Sequence, residues 1–253
     1  MRTLQNPTPP SRASLRALDA GKILATAEVL RARVEQRFPT SNLSEVAAEL
    51  ALITAEAADR ARWLARPNLW VRAGAIVLGI LLASIPIITF VYGFLRFREV
   101  ASSLSDLAQG IEAGVNEAIL LAAAIYFLVT IERRMKRNRA LTALHELRSL
   151  AHIIDMHQLT KDPEVFGAEW EPTSASPARS ELTPFQLERY LDYCSEMLAV
   201  LSKVAALYVQ HFQDDIVLRA VDEVENLASG LSRKIWQKIT ILDRLRETQR
   251  PPA

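Results

Sequence analysis

Cys194 is the only cysteine among 253 residues, so the chain cannot form an internal disulfide, and its apolar helical surroundings suit a reduced, cytosolic compartment. Glycine is scarce, at eight residues, and no Walker loop, G-x-G-x-x-G, G-x-S-x-G or CxxC pattern occurs. The common signatures of nucleotide binding, ester hydrolysis and thiol redox chemistry are therefore missing. Net charge is only +1, too little for a global basic field of the kind that neutralises phosphates, and no nucleic-acid partner is expected. Residues 1–14, MRTLQNPTPPSRAS, lack an apolar core or a small-residue cleavage site and read as a disordered tail instead of a signal peptide.

Charge is also absent from the interior of one long run, Ala73 to Leu95. At about 1.5 Å per residue a helix of that length reaches roughly 35 Å, enough to cross a hydrocarbon core of about 30 Å with some tilt. Trp70 and Tyr92 suit its two interfaces. Ala75, Gly79 and Ala83 repeat every fourth residue as a smooth packing stripe, and Pro86 should kink the helix. A second run, Ala118 to Ile131, is too short to cross alone and needs its flank back to Ile111. That flank carries Glu112, Asn116 and Glu117, either as a solvated turn or, repeated around an oligomer, as the mouth of a cation pathway.

Basic residues orient the pair. Arg60, Arg62 and Arg66 precede the first span, and Arg133, Arg134, Lys136, Arg137 and Arg139 follow the second. Both termini are therefore expected in the cytoplasm, and the second cluster is a candidate contact for lipid headgroups.

The flanks read as helix. Residues 15–66 carry two amphipathic helices separated at Pro39, the second opening on an Asn42-to-Glu45 capping box, and should form a cytosolic hairpin. Residues 132–161 continue the second span as a cytosolic helix, and 162–182, rich in Pro, Ser, Thr and Glu, form a flexible linker. Thr183-Pro184-Phe185-Gln186 opens a C-terminal helical pair over 183–247, in which Val217, Val221, Val224, Ala228, Leu231 and Ile235 step as a coiled-coil seam.

The fold class expected is thus an all-α membrane protein, its two spans (about 70–95 and 111–131) a hairpin within 69–131, with helical hairpin or coiled-coil segments on both sides. His145, Arg148, His152 and Asp155 share one helical face. They form a candidate polar interface, with Asp155 pairing a histidine or an arginine; the two histidines stand roughly 10.5 Å apart along the axis and cannot share one ion. No catalytic, cofactor or metal residue is assigned. The sequence suggests a homo-oligomeric protein of a bacterial inner membrane, conducting ions under the control of its cytosolic helices. The alternative is a non-conducting scaffold or sensor that docks cytosolic proteins through its C-terminal helices, and a third reading is a metal-dependent membrane enzyme.

Overall fold

The computed structural model describes residues 17–66, scattered positions between 73 and 91, residues 104–167, 170–171 and 182–248. These are all-α, with no strand among the described residues. The elements are α1 (Ala20–Arg37), α2 (Asn42–Ala65), α3 (Leu104–Leu159), a 3₁₀ turn (Pro163–Phe166), α4 (Pro184–Gln210) and α5 (Asp215–Thr248). The chain divides into two compact units, one of residues 1–65 with 139–253 and the other of residues 66–138. The N-terminal hairpin and the C-terminal pair, set apart in the sequence, thus belong to one unit.

Local chemistry explains where these helices start. The Asp19 carboxylate caps α1, accepting from the backbone N–H of Gly21 at 2.9 Å and Lys22 at 3.2 Å. Pro39 lies in the turn after α1. Ser41, and not Asn42, caps the next helix: the Ser44 N–H meets the Ser41 carbonyl at 2.9 Å and its hydroxyl at 3.4 Å. Asn42 is already the first residue of α2. At α4 the expected cap forms, with the Gln186 N–H donating to Thr183 Oγ1 at 3.2 Å and the Thr183 N–H to Gln186 Oε1 at 2.8 Å. Asp214 starts α5 by accepting from the N–H groups of Ile216 and Val217.

In the first unit α4 is the central helix. Thirteen of its residues are buried, among them Leu187, Leu191, Cys194, Leu198 and Leu201, and they lie around most of its circumference. A helix that is apolar on nearly all sides must be surrounded, and α1, α2 and α5 all pack on it. Its direction is fixed by cross-contacts: the Leu18 N–H meets Gln210 Oε1 at 2.9 Å, while Arg33 reaches Glu196 and Arg37 covers the Phe185 ring, so α1 and α4 run antiparallel. Phe38 wedges edge-on against Tyr190 and Tyr193, at centroid distances of 5.6 and 6.3 Å, and closes one end.

The coiled-coil expectation changes here. Val217, Val221, Val224, Ala228, Leu231 and Ile235 are all buried within the chain, on the helix that packs most extensively on α4. Their four-three spacing describes an intramolecular seam, because a seam reports only that a partner helix lies alongside. The start of the expected linker changes too. Asp162 caps a 3₁₀ turn in which Pro163 and Val165 are buried against the bundle, and a Cβ added to Gly167 would stand 3.8 Å from Leu245. Residues 168–169 and 172–181 lie outside the described residues.

In the second unit, the described positions between 73 and 91 are helical, and residues 104–138 belong to α3, which continues to Leu159 without a break. Among the described residues α3 alone is long and apolar enough to cross a membrane. The expected first span lies partly outside the described residues, so the two-span hairpin stands as an expectation.

Candidate functional site

The most apolar 18-residue window of α3 has a mean hydropathy of 1.9, and none of it is buried within the chain. Ile119, Leu120, Tyr126 and Phe127 are all exposed there. Glu112 and Asn116 are exposed near its start, and Glu117 is half-buried. On the first apolar run Gly79 and Ala83 are helical, and a Cβ placed on Gly79 would meet nothing within 4 Å among the described residues. Ala75 and Pro86, the other two expected packing positions, lie outside them.

Beyond the apolar window the basic cluster divides. Lys136 is buried, its ammonium donating to the Arg66 carbonyl at 2.8 Å and pairing with Glu132 at 3.1 Å. Arg139 lays its guanidinium over the Trp63 ring at 4.3 Å. Arg133 and Arg134 are exposed and Arg137 is half-buried, with Arg134 over the Phe127 ring at 5.6 Å. The Trp63–Arg139 contact lies within the first unit and places the residues where its chain ends before the insert, and resumes after it, side by side.

The polar stripe of α3 separates as well. Arg148 reaches across to Glu223 on α5 at 3.2 Å, an exposed pair worth at most about 1 kcal/mol. Asp155 accepts from Gln158 Nε2 at 2.6 Å, an amide in place of the expected histidine or arginine. His145 and His152 are both exposed. Among the described residues no group of three or more His, Cys, Asp or Glu is placed to hold one metal ion.

Two polar contacts inside the bundle escaped the sequence reading. Lys238 of α5 donates to the carbonyls of Gln158 at 2.7 Å and Lys161 at 3.0 Å, so an ammonium satisfies acceptors at the end of α3 and meets the negative end of its dipole. Burial pushes the Lys238 pKa down, with Asp162 and Asp155 opposing. The signal was present: Lys238 follows Ile235 by three and precedes Leu242 by four on the buried side of α5. Arg60 is the other. It holds Glu56 at 2.8 Å and Glu146 at 2.7 Å, and it lies against the Tyr208 hydroxyl, joining α2, α3 and α4. Nearby in sequence, the Thr54 hydroxyl is buried and returns its proton to the Leu50 carbonyl at 2.7 Å.

No family model, curated protein or solved structure matches this chain. Its chemistry must be judged from its own residues. Burial pushes the Cys194 thiol up to about 12, with Lys238 and Lys161 opposing, so at neutral pH it is a protonated core side chain and a poor nucleophile. Tyr190 and Tyr208 are also pushed up, first by burial. All three groups lie in the packed core of the first unit.

Proposed function

We propose that this chain is an integral membrane protein whose helical bundle is a cytosolic scaffold or sensor module, carried by a hairpin of two spans. The observation that supports the reading best is the uncovered apolar window of α3. Leaving that many apolar side chains in water would cost on the order of 25 cal/mol per Å², and a lipid environment removes the cost. The adjacency of Trp63 and Arg139 agrees with a hairpin, since a chain that leaves a bundle and returns beside its exit crosses a bilayer an even number of times. With the α5 seam consumed inside the bundle, the outer face of α5, where Trp236 is exposed, is a surface on the C-terminal helices open to a protein partner.

A conducting homo-oligomer is the second reading, favoured by the exposure of Glu112 and Asn116, four residues apart on one helix just before the second apolar run. Self-association would then rest on the spans instead of the α5 seam.

The test replaces Cys194 with serine and introduces single reporter cysteines at Ser103 and Ser176. A membrane-impermeant maleimide applied to intact cells should label Ser103→Cys at once and Ser176→Cys only after lysis. Equal labelling at the two sites, or recovery of the protein in the soluble fraction, would refute the topology. Reconstitution then separates the two readings: ion flux through liposomes favours the oligomeric channel, and a stoichiometric cytosolic partner lost on Trp236→Glu favours the scaffold.

A further inference from the structure

The length of α3 that belongs to the first unit has a buried side and an exposed side. Ala140, Leu144, Leu147, Ala151 and Ile154 lie in the packed core. Opposite them Thr142, His145, Ser149, His152, Met156 and Leu159 are all exposed and step three-four-three-four-three, Met156 at 66% and Leu159 at 61%. At about 100° per residue these six, with the exposed Ile153, fit an arc of roughly 120°. No Asp, Glu, Lys or Arg falls within that arc. The four residues of those types in this stretch flank it, and each has a contact inside the chain: Arg139 with Trp63, Glu146 with Arg60, Arg148 with Glu223 and Asp155 with Gln158.

A helix face turned to water normally carries charge. α2 shows the contrast at similar spacing, where Glu45, Glu49, Leu52, Glu56 and Asp59 are all exposed and only Leu52 is not acidic. A charge-free face with Ile153, Met156 and Leu159 at one end has the composition of the centre of a protein contact. The same absence of charge selects the partner. In a parallel, in-register pair of identical helices each seam residue meets its own copy, so a carboxylate, ammonium or guanidinium there would repel itself. The flanks agree, because Arg148 and Asp155 would stand across from Ile153 and Thr160 of the second copy and like charges would not meet. The membrane reading supplies the direction, since two copies inserted the same way present α3 in the same sense. His145 and His152, one heptad apart, then hold equivalent places in successive layers.

We propose that this face of α3 is the contact with a second copy of the chain, formed by two α3 helices side by side and in register through His145, Ser149, His152, Met156 and Leu159. The proposal rests on the membrane reading above for its parallel direction, and it adds a contact between copies outside the spans.

The experiment uses the full-length protein in mild detergent, with a cysteine introduced at Ser149, His152 or Met156, one at a time, and at the exposed Leu52 of α2 as the collision control. Cys194 is buried and stays in place, so the parent protein is the blank. Under a mild oxidant S149C, H152C and M156C should each give a disulfide-linked dimer, whereas L52C and the parent should not. In the S149C background, M156E and M156K should each lower the dimer yield about tenfold, because like charges then meet across the seam. Co-expression of the two charge variants should restore most of it. The helical circular dichroism should be unchanged throughout, since Met156 is exposed and both variants leave the core intact. A dimer at only one of the three positions, an equal yield in L52C, or no recovery on co-expression overturns the proposal. No dimer from a protein that needs detergent overturns this proposal alone. Dimers at all three positions from a protein soluble without detergent uphold the contact and overturn the membrane reading, and a soluble protein that gives none overturns both.

Discussion

Leu50 of α2 and Cys194 of α4 allow a direct test of whether the N-terminal hairpin and the C-terminal pair share one cooperative core. Leu50 is 1% exposed, on a helix that packs on α4, and Cys194 is the only thiol and fully buried. In Leu50→Ala the lost side chain is worth roughly three methylene groups at about 0.8 kcal/mol each, and the cavity left behind raises the cost to about 3 kcal/mol. If a thiol reagent reaches Cys194 only when the bundle opens, and opening equilibrates faster than labelling, the rate follows the open population. A loss of about 3 kcal/mol should then raise it roughly 160-fold, since each 1.4 kcal/mol is a factor of ten. The control is Leu52→Ala, two residues away and 55% exposed, which should change labelling less than about threefold. Labelling of detergent-solubilised protein with a small disulfide reagent at pH 8, followed by absorbance, gives both rates. A Leu50→Ala rate within threefold of the unmodified protein's would show that α2 can be loosened without opening α4, and the single-core description would fail.

Alkaline pH should destabilise the bundle. Cys194 titrates from 9.0 when unfolded to about 12 when folded, so its contribution is complete below pH 9 and is lost as pH rises toward 12; at about 1.4 kcal/mol per pH unit that is on the order of 4 kcal/mol. Thermal melts between pH 8 and 11 should fall more steeply in the parent protein than in Cys194→Ala, and parallel slopes would refute the assignment. Val224→Asp places a carboxylate in the buried seam and should abolish the helical circular dichroism of the bundle; intact dichroism with only a smaller particle mass would mean that the seam joins separate chains. Gly230→Ala in α5 meets no atom within 4 Å and should stabilise by up to about 1 kcal/mol, seen as a Tm roughly 3 °C higher; a lower Tm would reveal a packing contact there.

Local signals proved readable where one short stretch settles the matter. Thr183, Pro184 and Gln186 start α4 by their own hydrogen bonds, and the glycine- and proline-free stretch 140–159 does continue the preceding helix. What periodicity leaves open is the partner of an apolar face. The steps of α5 report a stripe, and whether α4 or a second chain covers it depends on three-dimensional packing. The same limit applies to the basic cluster: five cations follow the second apolar run, and only the position of the Arg66 carbonyl reveals that Lys136 is the buried one. Ser41 and Asn42 both suit a cap, and the difference of one residue was decided by the turn through Pro39, which brings the Ser41 hydroxyl to the Ser44 N–H. Lys238 was hidden because a lysine beside core positions reads as a solvated flank until the carbonyls it meets are known.

The splitting of the bundle's chain by residues 66–138 sets the timing of its synthesis. After α2 is complete at Ala65, α4, on which both α1 and α2 pack, does not begin until Pro184. At roughly 5–20 residues per second the ribosome needs on the order of 6–24 s to make what lies between. Throughout that interval the parts of α1 and α2 that pack on α4 lack that partner. Newly made chains are therefore most open to aggregation, and to capture by a chaperone, while the central segment is still being delivered.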